Sequence, residues 1–378
     1  MPFLLFYPHV CLALMHVMNA LVAHGVLLVD LTDGGKSFED AEKIARMWKA
    51  AETFFETVED ESVAEKLPGM TTVMETGSQH AKAGYACADN GSLKFLETRI
   101  ERKTGRILPE EAKTILGEDG ILAMQSAFDI VAQVGKDVLR ICTAASSVEH
   151  GAFVGRNNGD NRDQQIQATQ AATLLANELL DDGKPLGGHT SIDHNEGSVS
   201  MSPHRLCRYS DEKEGSSPAR EVFGAHTDSS FMTVVPVAEV SGLEVFDEAE
   251  EKWYRPELKA RTHWKEEREE EGKDSSTMVE EIEGGKEIPW HARYIAIMAG
   301  EHLQLVTRNE IPSSVHRVVA AKGRPARLSA PILLRARPGT KFLADRYLGG
   351  TLGNSLLAEC DGKTMEEIYD ATQPSSYQ

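Results

Sequence analysis

Residues 225–235 read AHTDSSFMTVV. His226 and Asp228 stand two apart at the mouth of an apolar run, and on an extended chain positions i and i+2 point to one face. An imidazole and a carboxylate placed in this way can reach one metal ion. A lone His-x-Asp is close to what chance provides in a chain with 13 histidines, and it reads equally well as a hydrogen-bonded surface feature. The pair therefore needs a third ligand. His316, in SSVHRVVAA, heads a second apolar run and can supply another imidazole. Taken alone, His316 would be a strand-end histidine satisfied by a backbone carbonyl.

Two histidines and one carboxylate form the facial triad that holds non-haem Fe(II) and leaves three positions open. Zinc is the rival metal for the same set. Eleven residues beyond His316 come Arg327, Leu328 and Ser329, and on a strand Arg327 and Ser329 again share a face. A guanidinium pairs with a carboxylate through a planar fork, and the serine adds a hydroxyl donor. An arginine on the inward face of an apolar strand is costly unless an anion meets it. A dicarboxylate held by the metal at one end and by Arg327 at the other meets that need.

These residues require strands to carry them. The chain has 378 residues, 41% hydrophobic and 26% charged, enough for a large core without staples. Its net charge of −19 and its lack of a basic stripe exclude ordinary nucleic-acid binding. Five cysteines with no CxxC pair indicate a reducing compartment, and a cytoplasmic location is expected. Residues 1–29 carry no Lys, Arg, Asp or Glu, but Pro8, His9, His16, Asn19 and His24 interrupt them. They read as a buried helix followed by a buried strand, GVLLVDL, and not as a membrane segment or signal peptide.

Residues 37–59 place Ala41, Ile44, Ala45, Trp48, Ala51 and Phe55 at helical spacing, with Ser37 as the expected N-cap. Further helices are expected over 121–146 and 163–181. Beyond about residue 200 short β-type runs follow one another: HRLCRYS, FMTVVPV, GLEVFD, KWYRP, ARYIAIMA, HLQLVT, SVHRVVAA and RLSAPILLRAR. Such spacing points to a sandwich or barrel. The expectation is an α+β chain with a mostly helical region 1–200, a β-rich core 201–345 and a closing segment 346–378. Residues 257–288 are densely charged and read as a solvated insertion, with a mobile lid as the sharper alternative. Residues 189–196, HTSIDHNE, cluster His189, Asp193, His194 and Glu196, but no apolar strand fixes them, and they read as a surface loop.

The ordered set HTD, HRV and RLS resembles the iron- and 2-oxoglutarate-dependent oxygenases of the isopenicillin N synthase-like class. The resemblance is strongest over 204–338 and weaker in AHGVLLVDL, in Phe54–Phe55 and around Gly84–Tyr85; the tail RYLGGTLGNSLLAECDGKTMEEIY resembles the family's closing helix. It implies a double-stranded β-helix, or jelly roll, flanked by N-terminal helices. It also implies Fe(II) on His226, Asp228 and His316, with Arg327 and Ser329 on the distal carboxylate of 2-oxoglutarate. Tyr209, in RLCRYS, matches a tyrosine that touches cosubstrate or substrate in relatives, and reads equally as a core aromatic. O2 is the co-reactant and ascorbate a stimulant.

The sequence departs from the family pattern in a longer Asp228-to-His316 gap, one extra residue between His316 and Arg327, and a shorter N-terminal part. The expected protein is a monomer that oxidises a small molecule by hydroxylation, desaturation or ring closure, with no nucleic-acid or membrane partner. A cosubstrate-free iron oxidase of the same fold, or a non-catalytic 2-oxoglutarate or iron sensor or scaffold, stands as the alternative. Arg99, Arg102, Arg205, Arg208 and Arg335 are available to an anionic substrate, although each reads first as a surface or ion-pairing residue.

Overall fold

The computed structural model describes residues 4–6, 14–32, 37–76, 79–88, 91–153, 161–186, 196–210, 220–282, 285–320 and 325–372. Among these, an 11-stranded sheet runs in the order Leu4–Phe6, Val26–Asp30, Tyr294–Ala299, Met232–Pro236, Ile332–Leu334, His204–Tyr209, Leu93–Ile100, Gln79–Ala88 and Thr71–Thr76. Arg327–Ser329 also pairs with His204–Tyr209, and Ile107–Leu108 with Leu93–Ile100. A 4-stranded sheet runs Lys252–Tyr254, Leu243–Asp247, His316–Ala320 and Arg220–His226. Pairing is antiparallel except between Leu4–Phe6 and Val26–Asp30.

Side-chain alternation divides the larger sheet into two working faces. Leu27, Val29, Val234, Ile295, Ile297, Ile332 and Leu334 turn one way and share a cluster with Phe54, Phe128 and Leu139 of the helices. Leu28, Val235, Ala296 and Met298 turn the other way and pack with Leu243 and Val245 of the smaller sheet. Leu93, Cys207 and Tyr209 meet Val222 and Val318 in the same manner. The layers are therefore helices, larger sheet and smaller sheet, and the space between the sheets is where inward-facing polar residues must find partners.

The helices follow their apolar spacing. Glu39–Thr57 buries Ala41, Ile44, Met47, Trp48, Ala51, Phe54 and Phe55 along one stripe. Ser37 does not cap it: Phe38 is the N-cap and contributes no side-chain bond, while Glu39, Asp40 and Glu42 in the first turn complement the helix dipole. The helix expected over 121–146 lies inside Lys113–Glu149, which Gly117 interrupts at φ 67°. The helix expected over 163–181 spans Asn161–Glu178. At the N-terminal side, Leu14–His24 is helical and Val26–Asp30 is a fully buried strand, as expected.

Four expectations need correction. The first half is less helical than its composition suggests, because Thr71–Thr76, Gln79–Ala88 and Leu93–Ile100 are strands that extend the larger sheet. In Gln79–Ala88 the inward positions Ala81 and Ala83 are small and not β-branched, so that strand lacks the residues that mark one. HLQLVT is not a strand: Glu301–Val306 is helical and buries His302, Leu303, Leu305 and Val306. The closing segment is three short helices, Ala344–Leu348, Ser355–Cys360 and Met365–Thr372. Gly349, at φ 73°, ends the first of them.

The fourth correction concerns 257–288, which is neither a solvated insertion nor a loose lid over its described part. It is the helix Pro256–Glu270 followed by the hairpin Val279–Ile282 and Lys286–Pro289. Ala260, Trp264 and Arg268 form an i, i+4 row that turns inward. Trp264 packs with Val26, Trp290 and Tyr294, and Arg268 binds Glu280 at 2.8 Å. Most of the charges lie on the other faces, and only Ala260 and Trp264 are apolar in the buried row, which hides it from a composition-based reading.

Candidate active site

His226 ends the strand Arg220–His226 and His316 begins His316–Ala320; the two are direct partners in the antiparallel register. Asp228 lies two residues past His226. The Nε2 atoms of His226 and His316 stand 3.6 and 3.4 Å from the Asp228 carboxylate oxygens, and the imidazole centroids are 4.3 Å apart. One donor atom from each residue lies within 4.8 Å of the others, the only such grouping of three or more His, Cys, Asp or Glu among the described residues. Nδ1 of His226 lies 2.8 Å from the Gly224 carbonyl, and Nδ1 of His316 lies 3.0 Å from the Ser314 carbonyl. A carbonyl only accepts, so each Nδ1 carries a proton; Nε2 is the atom turned toward Asp228, and it becomes a metal ligand once it gives up its own proton. This donor set fits a facial triad and divalent iron.

The Asp228 turn is built to hold still. Thr233 Oγ1 donates to Asp228 Oδ2. Thr227 and Ser229 donate to the two Glu301 oxygens at 2.9 and 2.8 Å, and the Asp228 carbonyl accepts from the Ser230 and Glu301 amides at 2.9 and 3.0 Å. Gly300 permits the contact, since a Cβ there would meet the Ser230 carbonyl oxygen at 2.2 Å. Burial alone would raise the Asp228 carboxyl, but bonding to His226, His316 and Thr233 outweighs it and holds the group well below the usual carboxylate range. Burial alone would lower His226; the bond and charge of Asp228 outweigh it and raise that imidazole.

A cavity of about 330 Å³ opens beside the triad between the two sheets. Its wall carries Arg205, Cys207 and Tyr209 from one strand and Arg327 and Ser329 from the next. Arg327 faces Tyr209 in the register and Ser329 faces Cys207, as the shared-face reading required. The Arg327 guanidinium carbon lies 5.6 Å from the centroid of the Tyr209 ring. Tyr209 thus packs in the wall and borders the cavity at once; burial drives its hydroxyl well above its ordinary pKa.

The anion that meets Arg327 includes one that the sequence reading did not identify. Glu257, at the start of the helix Pro256–Glu270, is as buried as Arg327 and accepts from its Nε and Nη2 at 3.1 and 2.6 Å. Its other oxygen takes the backbone amides of Gly242 and Leu243, both at 3.1 Å, and Ser241 Oγ at 3.2 Å. Nη1 of Arg327 is buried and has no hydrogen-bond partner among the described residues. Glu257 therefore takes one edge of the fork, and Nη1 is left without a partner in a wall that also carries Ser329.

The other arginines separate by their partners and, within His204–Tyr209, by strand parity. Arg208 turns to the opposite face from the cavity-lining residues and pairs with Glu59 at 3.2 Å. Arg99 pairs with Glu97 and Arg102 with Asp181, each at 2.6 Å, as structural ion pairs. Arg205 is the exception, since it lines the cavity. Its alternation with Cys207 and Tyr209 was the signal that marked its direction. Thr233 could have been found similarly, being in phase with inward Val235. Of the 189–196 cluster, His189, Asp193 and His194 lie outside the described residues. Glu196 serves structure, accepting from Arg337 Nη1 at 2.6 Å.

No protein-family model matches the chain, and no curated protein matches it by sequence. Solved structures do. A full-length Neurospora crassa protein, solved in complex with alpha-KG and 5-formyluracil, aligns at TM-score 0.54 with 15% identity, covering 97% of this chain and 93% of its own. A Caulobacter crescentus protein described as of the 2OG-Fe(II) oxygenase family aligns at 0.52 with 16% identity, covering 98% and 97%. A Shewanella oneidensis protein described as an oxygenase aligns at 0.50 with 16% identity, covering 92% and 96%. The chain thus shares, over nearly its whole length, the fold of 2OG-Fe(II) oxygenases.

Proposed function

We propose that this protein is an Fe(II)- and 2-oxoglutarate-dependent oxygenase acting on a small molecule, with a double-stranded β-helix as its core. The observation that carries the reading is the placement on one cavity of a His-Asp-His donor set and, on the adjoining wall, the unpartnered Arg327 Nη1 and Ser329. The likeness in fold to the Neurospora crassa protein, solved with alpha-KG and 5-formyluracil, supports both the cosubstrate and a small-molecule substrate.

His226, Asp228 and His316 would hold Fe(II) and leave three positions open. When bound, iron with 2-oxoglutarate and O2 supplies an oxidant for unactivated C–H bonds and releases succinate and CO2. The chain's own share is placement. Arg327 Nη1 and Ser329 Oγ donate to the distal carboxylate, while Glu257 fixes the plane of the guanidinium. Leu93, Phe95, Val235, Leu243 and Val318 keep the reacting volume poor in water. Hydroxylation is the default outcome, and desaturation or ring closure would use the same residues.

The test is succinate release from 2-oxoglutarate with Fe(II), O2 and ascorbate. The reading expects slow release without substrate, abolished in His316→Ala. Iron-loaded protein that makes no succinate with any substrate panel, yet oxidises a substrate without 2-oxoglutarate, would move the assignment to a cosubstrate-free oxidase.

A further inference from the structure

Resting on the oxygenase reading, we propose that Arg205 anchors an anionic group of the substrate, and that the substrate is a small carboxylic acid with an apolar body.

Two arginines reach the cavity, and their surroundings differ. Arg327 is 3% exposed and already faces the Glu257 carboxylate. Arg205 has a side chain that is 33% exposed and engages only through Nε, which donates to Glu97 Oε2 at 2.5 Å. Neither of its terminal nitrogens has a hydrogen-bond partner among the described residues, so the outer edge of its fork is open. Glu97 cannot neutralise it alone, because its other oxygen is bound by Arg99 Nη2 at 2.6 Å. One carboxylate thus serves two guanidiniums. A third, Arg335, stands close by with its Nε buried and unpartnered, and burial and then repulsion from Arg205 lower its proton affinity. The charge of Asp228 also reaches Arg205 and Arg335, so three guanidiniums share two carboxylates and the local balance stays positive beside the proposed metal site, which is the condition for holding an anion.

Geometry gives the class of anion. An open guanidinium edge pairs bidentately with a planar carboxylate. The ring of Phe95 lies 5.9 Å from the Arg205 guanidinium, and Leu93, Phe223 and Leu333 continue an apolar wall. The cavity of about 330 Å³ must also take the cosubstrate, so the body of the substrate is small. Arg208, which the sequence offered for the same role, turns away and binds Glu59.

The experiment is calorimetry, under anaerobic conditions, of benzoate, phenylacetate and hexanoate against their primary amides. It uses the full chain loaded with Fe(II) and 2-oxoglutarate, and again the chain with neither. Expected is a carboxylate that binds while its amide does not. Arg205→Met should weaken the acid by about tenfold to a hundredfold, the equivalent of one charged hydrogen-bonded contact. Arg205→Lys should recover part of the loss, and 2-oxoglutarate affinity should stay near wild type in both variants. The proposal is overturned if amides bind as well as acids, if Arg205→Met binds acids unchanged, or if no acid binds up to about 10 mM. It is also overturned if Arg205→Met loses 2-oxoglutarate, which would make Arg205 a cosubstrate residue. If wild type forms no 2-oxoglutarate complex at all, the oxygenase reading falls separately, and the acid-over-amide preference of the unloaded chain still decides the role of Arg205.

Discussion

The residues that touch the triad make sharper tests than the triad itself. Thr233 Oγ1 donates to Asp228 Oδ2, the oxygen that lies 3.4 Å from His316 Nε2, and so orients a proposed metal ligand. Loss of such a supporting bond costs about 10- to 100-fold in metal affinity. Thr233→Val should therefore weaken Fe(II) binding by that factor and Thr233→Ser should restore it, as measured by anaerobic titration. Equal affinity in Thr233→Val would remove the orienting role. Glu257→Gln leaves the buried Arg327 charge without a counter-ion, and breaking a buried pair costs about 3–5 kcal/mol. Added 2-oxoglutarate then supplies the missing carboxylate, so its stabilisation of the fold should be larger in the variant than in wild type, read as a shift in Tm. A smaller shift would contradict Nη1 as the open position. That His226 and Asp228, and Arg327 and Ser329, belong together was legible because period-two spacing fixes which side chains share a face; His316 joins His226 only through the register of another strand. Glu257 was not, because its partner lies 70 residues away and nothing local marks it.

At the scale of elements, the charged segment and the Asp228 turn carry the predictions. The helix Pro256–Glu270 delivers Glu257 to Arg327 and buries Trp264 completely. Trp264→Ala should cost about 3–5 kcal/mol in denaturant unfolding, as for other buried aromatics; a change near zero would return the segment to a solvated loop. Gly300→Ala should force the Ser230 backbone aside, lowering Fe(II) affinity through displacement of Asp228. An unchanged iron titration in a folded Gly300→Ala protein would show that the turn is slack. Strands that are short, continuously apolar runs between turn residues, such as Met232–Pro236 and Tyr294–Ala299, were visible in sequence from their length and flanks. Gln79–Ala88 turns alanine inward, and HLQLVT is too short an apolar run to choose its period. The long-range pairing of Leu93–Ile100 with His204–Tyr209 is a property of the sheet and not of any window.

For the whole molecule, a net charge of −19 coexists with buried ion pairs that tie the layers together. Asp181 is fully buried and bound bidentately by Arg102, both contacts at 2.6 Å. Burial alone would raise its carboxyl, but the charges of Arg102 and Arg337 outweigh that and lower it from 3.8. A carboxyl lowered by folding contributes its stabilisation fully above the unfolded value of 3.8 and loses it as pH falls through the folded value. Asp181→Asn should therefore destabilise the protein at neutral pH, and the gap to wild type should narrow as pH drops below that point. A gap constant with pH would contradict the pair's role. Among the described residues no helix is long and apolar enough to cross a membrane, and Cys87, Cys142, Cys207 and Cys360 are free.

The central claim is that one cavity binds iron through His226, Asp228 and His316 and 2-oxoglutarate through Arg327. The measurement that tests it most directly is anaerobic: Fe(II) and then 2-oxoglutarate are added to the metal-free protein, and the visible metal-to-ligand charge-transfer band is recorded for wild type, His316→Ala and Arg327→Ala. A band in wild type, its loss in His316→Ala, and a much higher 2-oxoglutarate requirement in Arg327→Ala are expected. Wild-type protein that binds iron yet gives no band, or a band indifferent to both substitutions, would contradict it.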